Sequence, residues 1–331
     1  MKQTPTLAAL CGALDVPAAE ALALRAVPMR ASTSEATAFS SGGALRLRPG
    51  ETGYAAPAGE DKTKSCDDSF IQNPSKGASR TALLAAFDTL LQPERFKDYG
   101  PNGLQVEGKA DVRKIVSGVT ASLALIEAAV ASQADAIFVH HGLFWRGQSG
   151  TVTGWMKQRL ELLLKHNINL YAYHLPLDAH PELGNNAQLG LQLGLTATAR
   201  FGEQNLGFLG GRTDGSSFAS AVALADVVKT ALNRPIVLVA GVLHACSAIK
   251  NIAWCSGGAQ SYFEAAVAAG AEAFITGEIS EPQAHYAREL NVAYIACGHH
   301  ASERYGAPAV AGHVAAQLGL THAFIDIDNP A

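Results

Sequence analysis

Beyond residue 79 the chain alternates between two hydrophobic periods. Residues 80–91 place Leu83, Leu84, Phe87, Leu90 and Leu91 at helical spacing behind Ser79, a residue type that caps helix N-termini. A turn-rich stretch with Asn102-Gly103 then leads into a short strand at 104–106. Apolar runs at 115–119, 136–140 and 168–173 read as buried strands, and 123–131 and 154–166 as the helices between them. Such alternation is the mark of a parallel α/β sheet.

Residues 185–193 continue as a helix, and from about residue 200 the texture changes. A Gly-rich stretch at 207–215 precedes a helix at 218–232, a strand at 236–240 and a loose join at 243–250. Later residues echo the first half in constant register. Strand 115–119, the Glu127-Ala-Ala-Val130 helix and strand 134–139 correspond to 252–256, Glu264-Ala-Ala-Val267 and 271–276, and 167–173 aligns with 291–297. The expected fold is therefore α/β: two interlinked α/β domains with repeated βαβ-type units and a site in the cleft between them. Their expected bounds are 79–199 plus 299–331, and 200–298.

Residues 1–78 are Ala-, Ser-, Gly-, Thr- and Pro-rich, with few large hydrophobes after Met29. This composition predicts a disordered extension, or upstream sequence included by a wrongly chosen start.

The strand at 136–140 ends in His140-His141-Gly142, and strand ends are where open α/β sheets place their chemistry. Neighbours on an extended chain point to opposite sides, so the two imidazoles are expected to grip different ions. The strand at 168–173 delivers Asp178 just past its end. Its repeat delivers His299 and Glu303, spaced so that both project from one face of a helix expected to run from about Ser302 to Leu318. His140, His141, Asp178, His299 and Glu303 exceed the needs of a mononuclear site with three protein ligands. A pair of divalent ions accounts for them. Taken alone, Asp178 also reads as a helix cap.

Composition narrows the function. The 331 residues are 48% hydrophobic, enough to bury real cores, and a net charge of −4 offers no basic excess for a phosphate backbone, so nucleic acid is not an expected partner. The five cysteines share no C-x-x-C spacing and read as reduced thiols of a cytoplasmic protein. No apolar run reaches the roughly 18 residues of a membrane span. The apolar patch at 7–14 is interrupted soon after by Asp15, and Leu10 stands before Cys11 where a lipoprotein site wants a small residue.

At these residues the chain resembles the dinuclear-metal-centre proteins related to the Ngg-one-interacting factor, also catalogued as GTP cyclohydrolase 1 type 2 homologues. The motifs are Y-G-P-N-G-L-Q-V-E-G at 99–108, V-H-H-G at 139–142, H-L-P-L-D-A-H-P-E-L-G-N-N at 174–186, T-G-E at 276–278 and G-H-H-A-S-E-R at 298–304. They span about 79–331 in order, with Ser302 where Thr is more usual. The resemblance implies the same five metal ligands, with Glu303 bridging. Mixed imidazole and carboxylate donors accept Zn, Fe, Mn, Co or Ni, and a pair of such ions points to hydrolysis; the resemblance implies a nucleotide or purine-like small-molecule substrate and a toroidal homohexamer. His174 and Glu278, the latter opposite His141 in the repeat, are the expected proton-moving catalytic residues. Tyr99, Asn102, His300 and Arg304 are expected around the cleft, and Cys297 within its strand. The alternative is a non-catalytic metal-binding regulatory or protein-interaction module.

Overall fold

The computed structural model describes residues 77–241 and 247–331, so the expectation of a disordered extension falls almost wholly outside the described residues. The elements run β1 (Ala78–Ser79), α1 (Arg80–Leu91), β2 (Gly103–Val106), β3 (Asp111–Val112), β4 (Lys114–Thr120), α2 (Leu123–Ala131), β5 (Ala136–His141), α3 (Gly154–Lys165), β6 (Asn169–Ala172), α4 (Leu175–Ala179) and α5 (Asn185–Gln192). They continue with β7 (Leu195–Phe201), β8 (Gly207–Arg212), α6 (Ala221–Leu232), β9 (Val237–Val239), β10 (Ile252–Trp254), α7 (Phe263–Ala268), β11 (Ala273–Thr276) and α8 (Glu281–Leu290). Last come β12 (Ala293–Ala296), α9 (His299–Glu303), α10 (Gly306–Leu318) and β13 (Thr321–Phe324).

Two main sheets result. The first has the order β13-β4-β5-β6-β2, parallel except for the antiparallel edge strand β2. The second has the order β7-β8-β10-β11-β12-β9, with β10, β11 and β12 parallel and their flanking strands antiparallel. Central strands such as β5 are buried on both faces, which is why they read as unbroken apolar runs.

The repeat is visible bond by bond. The Asp135 carboxylate accepts from the backbone N–H groups of Arg113 and Lys114, and the Glu272 carboxylate accepts from those of Lys250 and Asn251, the residues in matching register. Asn169 N–H donates to the Asp135 carbonyl as Ala293 N–H does to that of Glu272. Asn167 and Asn291 both adopt left-handed backbone, at φ 52° and 53°, ahead of the matching strands.

Each sheet has a core on both faces. In the first, Leu83 and Phe87 of α1 and Val310 and Val314 of α10 cover one side, with the tilted rings of Phe87 and Phe138 4.5 Å apart between centroids. Leu125 and Ile126 of α2 and Leu163 of α3 cover the other. Each such fully buried side chain contributes roughly 1.5–3 kcal/mol.

The pattern misplaces some boundaries. Strands β7, β8 and β13 are not evident in the sequence: β7 buries only Leu195 and Phe201 fully, and β8 is rich in glycine. Helix α6 starts at Ala221 because the Ser220 hydroxyl accepts from Ala223 N–H, while Phe218 pairs with Ile249 instead. The single helix expected over 302–318 is two helices, α9 and α10. Pro308 lacks the N–H that a continuous helix would direct at Arg304, and its ring would strike that carbonyl.

Candidate metal centre

Strand β5 carries His140 and His141 to the edge of the first sheet, where His141 still pairs with Thr120. Their ring centroids lie only 4.4 Å apart, so the opposed directions expected of an extended chain are not kept at the strand end. Both Nε2 atoms face one carboxylate instead. His140 Nε2 is 3.3 Å from Oε1 of Glu303, and His141 Nε2 is 3.4 Å from Oε2.

Glu303 comes from the second sheet's side. Strand β12 ends at Ala296, the chain turns through Gly298 at φ +95°, and α9 presents His299 and Glu303 on one face, with His299 Nε2 3.2 Å from Glu303 Oε2. Gly257, at φ +67°, leaves the space that the carboxylate fills, since a Cβ there would overlap Glu303 Oε1. Asp178, inside the short helix α4, places Oδ1 3.6 Å from His140 Nε2.

Each imidazole is anchored from behind. His140 Nδ1 contacts the Tyr173 carbonyl at 3.2 Å, His141 Nδ1 the Thr120 hydroxyl at 3.1 Å, and His299 Nδ1 the Glu278 carboxylate at 2.6 Å. These bonds leave all three Nε2 atoms aimed at the shared centre, the arrangement by which outer partners orient metal-binding histidines. Asp178 is fixed too, its Oδ1 accepting from Asn185 Nδ2 at 2.9 Å and from Ser256 Oγ at 3.3 Å. Asn186 joins the two sides: its Nδ2 donates to the Asp178 and Leu206 carbonyls, and its Oδ1 accepts from Ser256 N–H.

His174 lies in the same cluster, 5.0 Å from His140 and 5.8 Å from His141 between ring centroids. Its Nδ1 is bound to Asp98 at 2.6 Å, and Asp98 also accepts from Asn102 Nδ2 and from the N–H groups of Tyr99 and Leu175. Glu278 touches the centre only through the back of His299, and its other oxygen accepts from Gln260.

Charge is concentrated here. Burial opposes protonation of His140, yet Asp178 and Glu303 outweigh it and push its pKa up to about 9. His299 is also raised to about 9, the Glu303 and Glu278 carboxylates overcoming burial. His141, buried and beside other imidazoles, falls to about 3. Burial raises the Asp178 carboxyl, while His140 and His141 hold Glu303 well below the usual range against its own burial. Despite this crowding, His140 Nε2 and Glu303 Oε2 are buried without a hydrogen-bond partner.

Among the described residues, three groups bring potential metal-ligating atoms within 4.8 Å of one another: His140, Asp178 and Glu303; His141, His299 and Glu303; and His140, His141 and His174. The structure thus gathers all five predicted ligands, with His174 beside them and Glu278 behind them. Other expected cleft residues divide. Asn102 supports the His174 backbone, exposed Tyr99 borders a cavity of about 340 Å³ with Phe144, Trp145 and Arg146, and Cys297 packs buried beside β12. His300 and Arg304 instead turn toward Asp326. Asp98, Thr120, Asn185, Asn186 and Ser256 carry no assignment from the sequence. The only signal was the inclusion of Asn185 and Asn186 in the 174–186 motif.

Fold and cluster together define an α/β protein with two sheets whose edges supply imidazoles and carboxylates of metal-ligating type. Residues 78–330 match the model of the family described as Duf34/NIF3 (NGG1p interacting factor 3), and the chain belongs to that family. It is 49% identical over 241 residues to a "GTP cyclohydrolase 1 type 2 homolog" of Neisseria meningitidis serogroup B, covering 73% of this chain and 94% of the relative. A Pseudomonas aeruginosa protein of the same name is 46% identical over 257 residues, covering 76% and 98%. Among solved structures, protein ybgI, described as of unknown function, is 44% identical with a TM-score of 0.72, covering 77% of this chain and all of that one. TTHA1606 from Thermus thermophilus is 32% identical with a TM-score of 0.69, covering 77% and 100%. Among the described residues no helix is long and apolar enough to cross a membrane.

Proposed function

We propose that the protein is a divalent-metal-dependent hydrolase with a dinuclear centre, acting on a nucleotide or purine-like small molecule. One observation carries this reading: two donor groups, each with at least one imidazole and one carboxylate, share Glu303. The residues fit a pair of cations on their own terms. His140 Nε2 and Glu303 Oε2 are buried without a hydrogen bond, and the carboxylates draw positive charge onto His140 and His299. His140, Asp178 and Glu303 would hold one ion, and His141, His299 and Glu303 the other. Zn, Fe, Mn, Co and Ni all suit such mixed donors.

When bound, paired divalent ions activate water at neutral pH and stabilise the charge that develops during attack. The chain supplies the rest. With its Nδ1 held by Asp98, His174 has Nε2 available to take a proton from the reacting group and return it to the leaving atom. Glu278 acts through His299, fixing the orientation of that ring. Trp145 and Tyr99, both beside His174, line the neighbouring cavity, and aromatic rings there would suit a planar substrate. The relatives named for GTP cyclohydrolase support a purine nucleotide over other planar compounds. The working form is proposed to be a cytoplasmic homohexamer, checked by light scattering.

Elemental analysis of the purified protein, followed by a nucleotide-hydrolysis screen of wild type against His141→Ala, tests the proposal. We expect about two ions per chain and turnover lost in the variant. Equal turnover in a metal-free variant would reject it. Bound ions with no turnover of any nucleotide would favour the family's other reading, a metal-binding interaction module.

A further inference from the structure

We propose that His140, His141 and His174 form a third metal position, which holds one borderline cation such as Zn²⁺ and excludes the two-ion arrangement when filled. The inference rests on the reading that this cluster binds metal, and goes beyond it by adding a donor and a second loading mode.

Three observations meet at this position. First, Nδ1 of each ring is engaged, by the Tyr173 carbonyl, the Thr120 hydroxyl and the Asp98 carboxylate, so that with the proton on Nδ1 each Nε2 keeps its lone pair for a ligand. One ligating atom from each residue lies within 4.8 Å of the others. Second, His140 Nε2 is fully buried and makes no hydrogen bond, although the Glu303 and Asp178 carboxylates lie 3.3 and 3.6 Å from it. Third, a pocket of about 10 Å³, the size of one water or ion, opens beside two of the three rings, those of His140 and His174, while His141 lies outside its lining.

The Asp98–His174 pair repeats the carboxylate–imidazole pairing of Glu278 with His299, and it is the more buried of the two. The Asp98 side chain is 3% exposed, against 44% for Glu278. A carboxylate that accepts four hydrogen bonds holds the ring in one orientation, as metal-binding histidines require.

The modes exclude each other because His140 and His141 belong to both, and each Nε2 has one lone pair to give. Their chemistry differs. The pair of sites sharing Glu303 offers carboxylate oxygen as well as nitrogen, and so accepts harder ions. The third offers three neutral nitrogens and an open fourth position, a set that suits Zn²⁺, Co²⁺ or Ni²⁺ better than Mn²⁺. Loading would then depend on which metal is present.

Cobalt(II) titration of the full chain, followed by calorimetry and by the visible absorption of tetrahedral cobalt, tests this. Glu303→Gln breaks both carboxylate-containing groups and leaves the three imidazoles. We expect it to bind one Co²⁺, and expect Glu303→Gln/His174→Ala to bind at least about tenfold more weakly. Asp178→Asn/His299→Ala also removes a donor from each carboxylate group, and gives the same comparison with and without His174→Ala if the buried glutamine perturbs folding. Unchanged Co²⁺ affinity on removing His174 in both backgrounds would overturn the third position while leaving the dinuclear reading intact. Failure of the wild type to take up any Co²⁺ would overturn both.

Discussion

Glu278 Oε1 accepts a hydrogen bond from His299 Nδ1 across 2.6 Å, and the opposite nitrogen of that ring then faces Glu303. Glu278→Gln should therefore loosen the ring without removing a ligand. We expect affinity for one of two ions to fall about 10- to 100-fold while the other is retained, as read by competition with a chelator.

Glu303 is common to both carboxylate-containing groups, whereas Asp178 belongs to one. Glu303→Ala should cost both ions of the dinuclear centre and Asp178→Ala only one. Elemental analysis after dialysis distinguishes them in a His174→Ala background, where the three-imidazole position is lost.

Gly257 tests the space around that carboxylate. Alanine there must adopt a φ of +67°, costing about 1–2 kcal/mol, and its Cβ would displace Glu303. Gly257→Ala should lower the melting temperature of metal-free protein and weaken metal binding as well. Gly270, also at positive φ but with open space around it, should show only the first effect on substitution by alanine.

Asp135 gives a pH dependence away from the centre. Burial opposes its charge, but Lys109 and the N–H groups of Arg113 and Lys114 hold its carboxyl below the usual value. A depressed pKa contributes stability above the unfolded value near 3.9, lost as pH falls through the folded value. Asp135→Asn should cost about 1 kcal/mol in urea unfolding at pH 7, and the gap to wild type should shrink below about pH 4.

The five candidate ligands were legible because each sits where a regular element ends: two histidines before Gly142, an aspartate just after β6, and a His-x-x-x-Glu pair just after β12. Their supports were not. Asp98 stands 76 residues from His174, and Ser256 stands 78 from Asp178, so only the tertiary approach pairs them. The same holds for β7 and β13, whose half-exposed sequences carry little burial signal and whose pairing is decided by the strands beside them. The repeat was legible because Asp135 and Glu272 perform one task in both copies, and two copies of one pattern are easier to see than either alone.

That duplication also divides labour unequally. The first copy ends β5 in His140 and His141, the second has Gly277 and Glu278 in the same register, and the second copy's contribution comes instead from one strand further on. Neither half alone owns a complete chelating set with a shared carboxylate, so cations bound as proposed would report that both halves have folded and met. Their binding energy would then act as a clasp: a chain stripped of them should open at lower denaturant concentration, with the seam between the halves the first part to give.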